Sequence, residues 1–276
     1  MLPIYYINLN ARTDRRAHME AQFVLLALGA TRIEAVRPDN AVATLSRRGW
    51  LRNAFHRLDP ATLCRTLSHA EVLDHIVRSN APLSLVLEDD ALLAEGLPDF
   101  LKSIEDLLPG HVDLVRLETC YHPAALGREA LLPRGPVGLR RLCGTQPGSA
   151  AYLVRPQAAS AILKGLPQTG EAIDDMLFSS FGWGLFNLTI GQTVPGLAVE
   201  LDKRRSFAHL PMTRGDVAPA REAMLRQKPK TLLTGLKSRS RLVRAATRQW
   251  SHFGAHALWG DKEDVGFADD RRLRRR

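Results

Sequence analysis

Cysteine is scarce in this 276-residue chain. Cys64, Cys120 and Cys143 stand far apart, a spacing that fits neither a zinc ligand set nor a disulfide framework, so the expectation is a reduced protein. No apolar run approaches the roughly 18–20 residues needed to cross a bilayer. The opening Met1-Leu2-Pro3-Ile4-Tyr5-Tyr6 has no basic segment and no long apolar stretch, so no secretory signal is expected and a cytoplasmic location is the default. There is neither a glycine-rich dinucleotide fingerprint nor a Walker loop, which weighs against nicotinamide and ATP chemistry. With 45% hydrophobic and 24% charged residues, the chain is not disordered, collagen-like or a small disulfide scaffold. Its length suits one large domain, or one domain plus an appendage.

The net charge of +9 is unevenly placed. Residues 1–225 hold 24 basic and 24 acidic side chains, whereas residues 226–276 hold 14 basic and 5 acidic ones. Two parts are therefore expected: a neutral domain over 1–225 and a basic tail over 226–276. Leu232, Leu236, Val243, Ala246 and Trp250 recur at helical spacing among Lys237, Arg239, Arg241, Arg244 and Arg248. That stripe suits an interfacial helix on an anionic membrane surface, or equally a helix packed on the domain. Residues 271–276 read as a disordered end. Nucleic-acid binding is disfavoured, because no aromatic interleaving or known module accompanies the charge.

Along the neutral part, strands and helices alternate. Ile4–Leu9 reads as a buried strand, and Thr13 as the N-cap of a helix to about Leu28. Pro38, Gly49 and Pro60 break residues 31–64 into loops. Ser68-His69-Ala70-Glu71 has capping-box spacing and is expected to open a helix to about Ser79. Further strands are expected at Leu83–Leu87, Val112–Leu117 and Gly148–Val154, with one or two more between Asn187 and Leu201. Helices are expected from Pro98 to Leu108, from Pro156 to about Leu166 and over Glu171–Phe181. The order implies an α/β sandwich around a mostly parallel sheet.

Most of the chemistry sits in Glu88-Asp89-Asp90, directly after a buried strand. At about 5 Å and an effective dielectric near 20, each like-charged pair costs roughly 3 kcal/mol. A positive partner is required, either arginine or lysine or a hard divalent cation such as Mg²⁺ or Mn²⁺. Ligands of open α/β sheets sit beyond the carboxyl ends of strands, where this triplet falls. Side chains two apart on an extended segment share a face, so Glu88 and Asp90 are the candidate metal ligands while Asp89 points elsewhere. A second cluster, Asn8-Leu9-Asn10-Ala11-Arg12-Thr13-Asp14-Arg15-Arg16, places a strand end, a helix N-terminus and three arginines together, which suits a diphosphate or a nucleoside.

In this order the segments resemble glycosyltransferase family 25, the lipooligosaccharide and collagen galactosyltransferase group. The likeness rests on Ile4–Leu9 with Asp14-Arg15-Arg16, Leu67-Ser68-His69, Leu85–Asp90, Gly148–Val154 and Ile173-Asp174-Asp175-Met176-Leu177, and spans about residues 3–206. It implies a GT-A-type, Rossmann-like fold and a nucleotide-sugar donor, with UDP-galactose expected. It also implies an Asp-x-Asp-like site for Mn²⁺ or Mg²⁺ at the triplet, and inverting transfer to a glycan or glycolipid acceptor. The candidate donor-binding residues are then Asn8, Leu9, Arg12, Arg15, Arg16, His69 and Asp89. Asp174 or Asp175 is the expected base, and His209 an additional candidate ligand. The chain departs from the family pattern at Asn10-Ala11, at Leu63-Cys64-Arg65-Thr66 and at Ala172. Two other readings stay open: an inactive relative that binds a sugar nucleotide or serves as a scaffold, and a basic-tailed nucleic-acid-binding protein.

Overall fold

The computed structural model describes residues 2–132, 135–203 and 261–269. Strands β1 (Ile4–Asn8), β2 (Thr31–Glu34), β3 (Ser84–Glu88), β4 (Ala91–Leu93), β5 (Leu114–Arg116) and β6 (Glu118–Thr119) come from the first half. They are followed by β7 (Pro123–Ala130), β8 (Gly138–Leu142), β9 (Ala151–Val154), β10 (Ile190–Val194), β11 (Ala198–Glu200) and β12 (Asp261–Asp264). Nine of them form one sheet in the order β12-β7-β8-β10-β5-β9-β3-β1-β2. The pairs β1–β2, β1–β3 and β5–β10 are parallel. Strand β9 lies antiparallel between β3 and β5, so β2, β1, β3, β5 and β10 all share one direction. Beyond β10 the sheet is antiparallel through β8, β7 and β12. The sheet is therefore mixed: its central strands share one direction except for β9.

Side chains alternate across this sheet, as the period of two requires. Tyr6, Leu85, Leu87, Val115 and Leu153 enter one core with helices α1 (Thr13–Leu25) and α4 (Leu97–Leu107). Ile7, Val86, Leu114, Tyr152 and Val154 enter the other, under α2 (Pro38–Arg47), α3 (Pro60–Arg78), α5 (Pro156–Thr169), α6 (Ile173–Phe178) and α7 (Trp183–Asn187). The strand cores are apolar on both faces because both are covered by helices.

Two helices begin where loops were expected. Pro38 and Pro60 are first-turn residues of α2 and α3, a position where proline's missing N–H costs nothing. The carboxylate of Asp59 accepts from the N–H groups of Ala61 and Thr62, both at 3.0 Å, and so caps α3. The apparent capping box at Ser68 and Glu71 is thus mid-helix. The Ser68 hydroxyl donates to the Cys64 carbonyl at 2.7 Å and accepts from Val36 N–H at 2.8 Å. Helix α1 does start at Thr13, but Arg12 occupies its N-cap position and makes no capping side-chain bond. It ends at Leu25, before Ala27, whose φ of 50° is left-handed.

A second, three-stranded sheet, β4-β11-β6, sits at the carboxyl end of β3. Antiparallel pairing sets Glu200 opposite Ala91, next to Asp90, and Leu201 N–H bonds the Asp90 carbonyl at 2.9 Å. Residues 261–269 also join the domain, although a separate tail was expected from 226 onwards. Strand β12 extends the main sheet along β7, while Val265 and Phe267 are buried. The amphipathic stripe over 232–250, residues 271–276 and His209 lie outside the described residues. Among the described residues, no helix is long and apolar enough to cross a membrane.

Because α3 carries Arg65 and His69 of the site below, its cap is a direct handle on the architecture. Asp59→Ala should lower unfolding free energy by about 1 kcal/mol, read as a shifted urea midpoint with an unchanged slope.

Candidate active site

The triplet opens onto a cavity of about 260 Å³. Leu9, Arg15, Arg65, His69, Glu88, Asp89, Asp90, Ser149 and Glu200 all line it, with Ile7, Ala35, Val36 and Pro38 forming an apolar wall. All three carboxylates of the triplet reach the cavity, so Asp89 does not point away from it.

Each carboxylate has its own environment. Glu88 Oε1 accepts from Ser149 Oγ at 2.6 Å and pairs with His69 Nε2 at 3.1 Å. An ionised carboxylate can only accept, so Nε2 donates to it, and Nδ1 is hydrogen-bonded to the Tyr152 hydroxyl at 2.9 Å. Burial pushes the Glu88 carboxyl up, but the His69 bond, the Arg65 charge and Ser149 together hold it well below the usual range. Asp89 Oδ1 accepts from Arg15 Nη1 at 2.9 Å, and its Oδ2 from Asn8 Nδ2 at 2.8 Å. Burial nevertheless raises its proton affinity. Asp90 Oδ2 shares the same Arg15 nitrogen at 3.1 Å, while its Oδ1 is buried with no hydrogen-bond partner. Burial, reinforced by repulsion from Glu200 and Glu88, lifts the Asp90 carboxyl well above its ordinary value.

Behind the cavity lies a second charged group. Glu118, fully buried, accepts from Lys203 Nζ at 2.9 Å and from Ala150 N–H at 2.9 Å, and stands 3.4 Å from Arg116. Lys203 Nζ also contacts Glu200 Oε2 at 2.5 Å. Gly148, at φ +95°, runs so close that a Cβ there would sit 2.5 Å from Glu118 Oε1 and 2.8 Å from Lys203 Nζ. Only glycine lets the 148–150 segment lie against these charges and present Ser149 to Glu88. Glu200 has its carboxyl raised by burial, against the pull of Lys203.

A model of glycosyltransferase family 25, described as an LPS biosynthesis protein, matches residues 1–177. The chain belongs to glycosyltransferase family 25. Among solved structures it is similar to mannose-1-phosphate geranyltransferase from Thermus thermophilus, at 17% identity over 71% of this chain and 74% of that one, with a TM-score of 0.35. It is also similar to mouse xyloside xylosyltransferase 1 in its apo form, at 12% identity over 60% and 59%, with a TM-score of 0.31. No curated protein matches it.

Within this family 25 chain, the candidates Leu9, Arg15, His69, Glu88, Asp89 and Asp90 line the cavity, and five other candidates do not. Asn8 is 1% exposed and braces Asp89 and the Arg12 carbonyl. Arg12 turns to Asp14, and Arg16 to Glu20 along the outer face of α1. Asp174 is 2% exposed; its Oδ1 accepts from Arg65 Nη2 at 2.7 Å, tying α6 to α3. Asp175 is exposed on α6. The two aspartates expected to act as base therefore stand outside the cavity, and Asp174 instead orients a cavity arginine.

Arg65, Ser149 and Glu200 were not among the expected site residues. Glu200 carried a readable signal, because it closes the apolar run Leu197-Ala198-Val199 just as Glu88 closes β3. Among the described residues, Arg15 is the one cation bonded to two triplet carboxylates, and it is itself buried. Arg15→Met should destabilise the fold by about 3–5 kcal/mol, since it leaves those charges unpaired; chemical denaturation at neutral pH measures it.

Proposed function

We propose that the chain transfers a hexose, galactose in the first instance, from a UDP-sugar to a cell-surface glycan such as lipooligosaccharide, with inversion. The observation that carries this reading is Asp90, whose Oδ1 is enclosed and without a donor at the carboxyl end of a central strand. Among the described residues around the cavity, six carboxylates (Glu88, Asp89, Asp90, Glu118, Asp174, Glu200) meet four cationic side chains (Arg15, Arg65, Arg116, Lys203). Two formal negative charges are left over, which matches one divalent cation. Among the described residues, no three His, Cys, Asp or Glu side chains are grouped to hold an ion by themselves. On this reading Mg²⁺ or Mn²⁺ would be held by one or two carboxylates and completed by substrate phosphate oxygens. Asp90, with the second oxygen of Glu88, would hold it. Bound there, such an ion supplies the charge that steadies a departing diphosphate.

The chain's own groups do the rest. Arg65 keeps its Nε buried without a partner and lines the cavity, so it offers a donor to a phosphate oxygen. The wall of Ile7, Leu9, Ala35, Val36 and Pro38 accommodates the flat face of a base. His69 and Ser149 fix Glu88. One further carboxylate must take the proton of the acceptor hydroxyl. The reading includes contact of the basic residues beyond 225 with an anionic membrane surface, which would bring a glycolipid acceptor to the cavity from the cytoplasmic side.

UDP release from UDP-galactose should require Mn²⁺ or Mg²⁺, and Asp90→Ala should reduce it by at least about 100-fold. Mn²⁺ binding, followed by the free-ion electron paramagnetic resonance signal, should weaken in the same variant. Undiminished release by Asp90→Ala would sink the metal assignment.

A further inference from the structure

Four carboxylates line the cavity, and all four have partners within the protein. Glu88 Oε1 is held by His69 and Ser149. Asp89 has Arg15 on one oxygen and Asn8 on the other. Asp90 is bonded to Arg15 through Oδ2, and its Oδ1 is enclosed. Glu200 differs. Its side chain is 25% exposed, against 17%, 10% and 12% for Glu88, Asp89 and Asp90, so it is the most solvent-accessible of the four.

Its attachment is also one-sided. Lys203 Nζ holds Oε2 at 2.5 Å, and among the described residues no donor reaches Oε1. Lys203 is in turn fixed by Glu118, which is itself bound to Ala150 N–H and flanked by Arg116. Lys203 thereby fixes one oxygen of this cavity-lining carboxylate and leaves the other without a protein donor among the described residues. Glu200 enters from β11, whereas Arg15 and Arg65 enter from α1 and α3.

We propose that Glu200 is the general base of the transfer reaction. The assignment rests on the glycosyl-transfer reading above. In the step it serves, the acceptor hydroxyl oxygen forms a bond to the anomeric carbon of the donor. The bond from that carbon to the phosphate oxygen breaks, and its electron pair leaves with the diphosphate. The hydroxyl proton passes to Glu200 Oε1.

The full-length chain carrying Glu200→Gln tests this with UDP-galactose and Mn²⁺, using water or sodium azide as the nucleophile. Azide has no proton to lose, so it does not need the base. In water, UDP release should fall by roughly 10²–10⁴-fold, the range of a lost general base, while UDP affinity stays at the wild-type level. Azide should then raise release by about tenfold or more, with galactosyl azide as the product. Asp90→Ala should show no such recovery. Glu200→Asp keeps a charge for Lys203 but withdraws the oxygens by one methylene, and its water rate should lie between those of wild type and Glu200→Gln. If Glu200→Gln loses UDP binding, Glu200→Asp carries the azide comparison in its place.

Full release by Glu200→Gln would overturn the assignment, as would loss of release without azide recovery in a variant that still binds UDP. A wild-type chain that releases no nucleotide from UDP-, GDP- or CMP-sugars would remove the transfer reading itself, and this assignment with it. The two failures are thus distinguishable.

Discussion

The constraint on which this structure depends is the crowding of negative charge at the carboxyl end of β3. Three consecutive carboxylates, each facing a repulsion of roughly 3 kcal/mol per neighbour, would not stay in place unless cations were brought to them from elsewhere in the chain. Arg15 is brought by α1 and bonds Asp89 and Asp90 with one nitrogen. Arg65 is brought by α3, and its charge steadies Glu88. Lys203 follows β11 and steadies Glu200 and Glu118. Elements α1, α3, β3 and β11 each deliver a charged group to the cavity, so the packing of these elements and the electrostatics of the site answer to the same geometry.

How much of this was legible depended on whether a residue's partner lay nearby in the sequence. Strands β1 and β3 and the triplet could be read directly, because an apolar β-rich run ending in polar groups needs no distant context. Helix α3 could not. Pro60 reads as a breaker unless Asp59 before it is recognised as a cap, and Ser68 with Glu71 imitates a helix start from inside the helix. Asn8 and Asp174 were rightly picked out as polar groups at element ends. Their partners, Asp89 and Arg65, lie 81 and 109 residues away, so sequence spacing offered no sign of these contacts. Arg16 faces outward because α1 buries Arg15 and Met19, which places position 16 on the exposed side.

The charge count separates a basic C-terminal segment correctly in composition but not in space. Residues 261–269 hold few basic groups and bury Val265 and Phe267 just after β12. They return to β7, and the Thr119 hydroxyl donates to the Val265 carbonyl. Thr119 belongs to β6, the same short strand that carries Glu118. The late segment therefore packs directly on the strand that anchors Lys203.

That arrangement divides the cavity by chain position. The groups within residues 1–177, the span shared with the family, are Arg15, Arg65, His69, the triplet and Ser149. With Ile7, Leu9, Ala35, Val36 and Pro38 they supply the cations, the enclosed oxygen of Asp90 and the apolar face, the features on which the proposed donor site rests. Glu200 lies beyond that span. It comes from β11, which is held by β4 on one side and β6 on the other. A donor diphosphate carries the same chemistry whatever sugar it bears, whereas the acceptor hydroxyl differs with each glycan. Placing the outermost carboxylate on a separate small sheet lets its position be set by β6, β11 and the 261–269 segment without disturbing the bonds Arg15 makes at the end of β3.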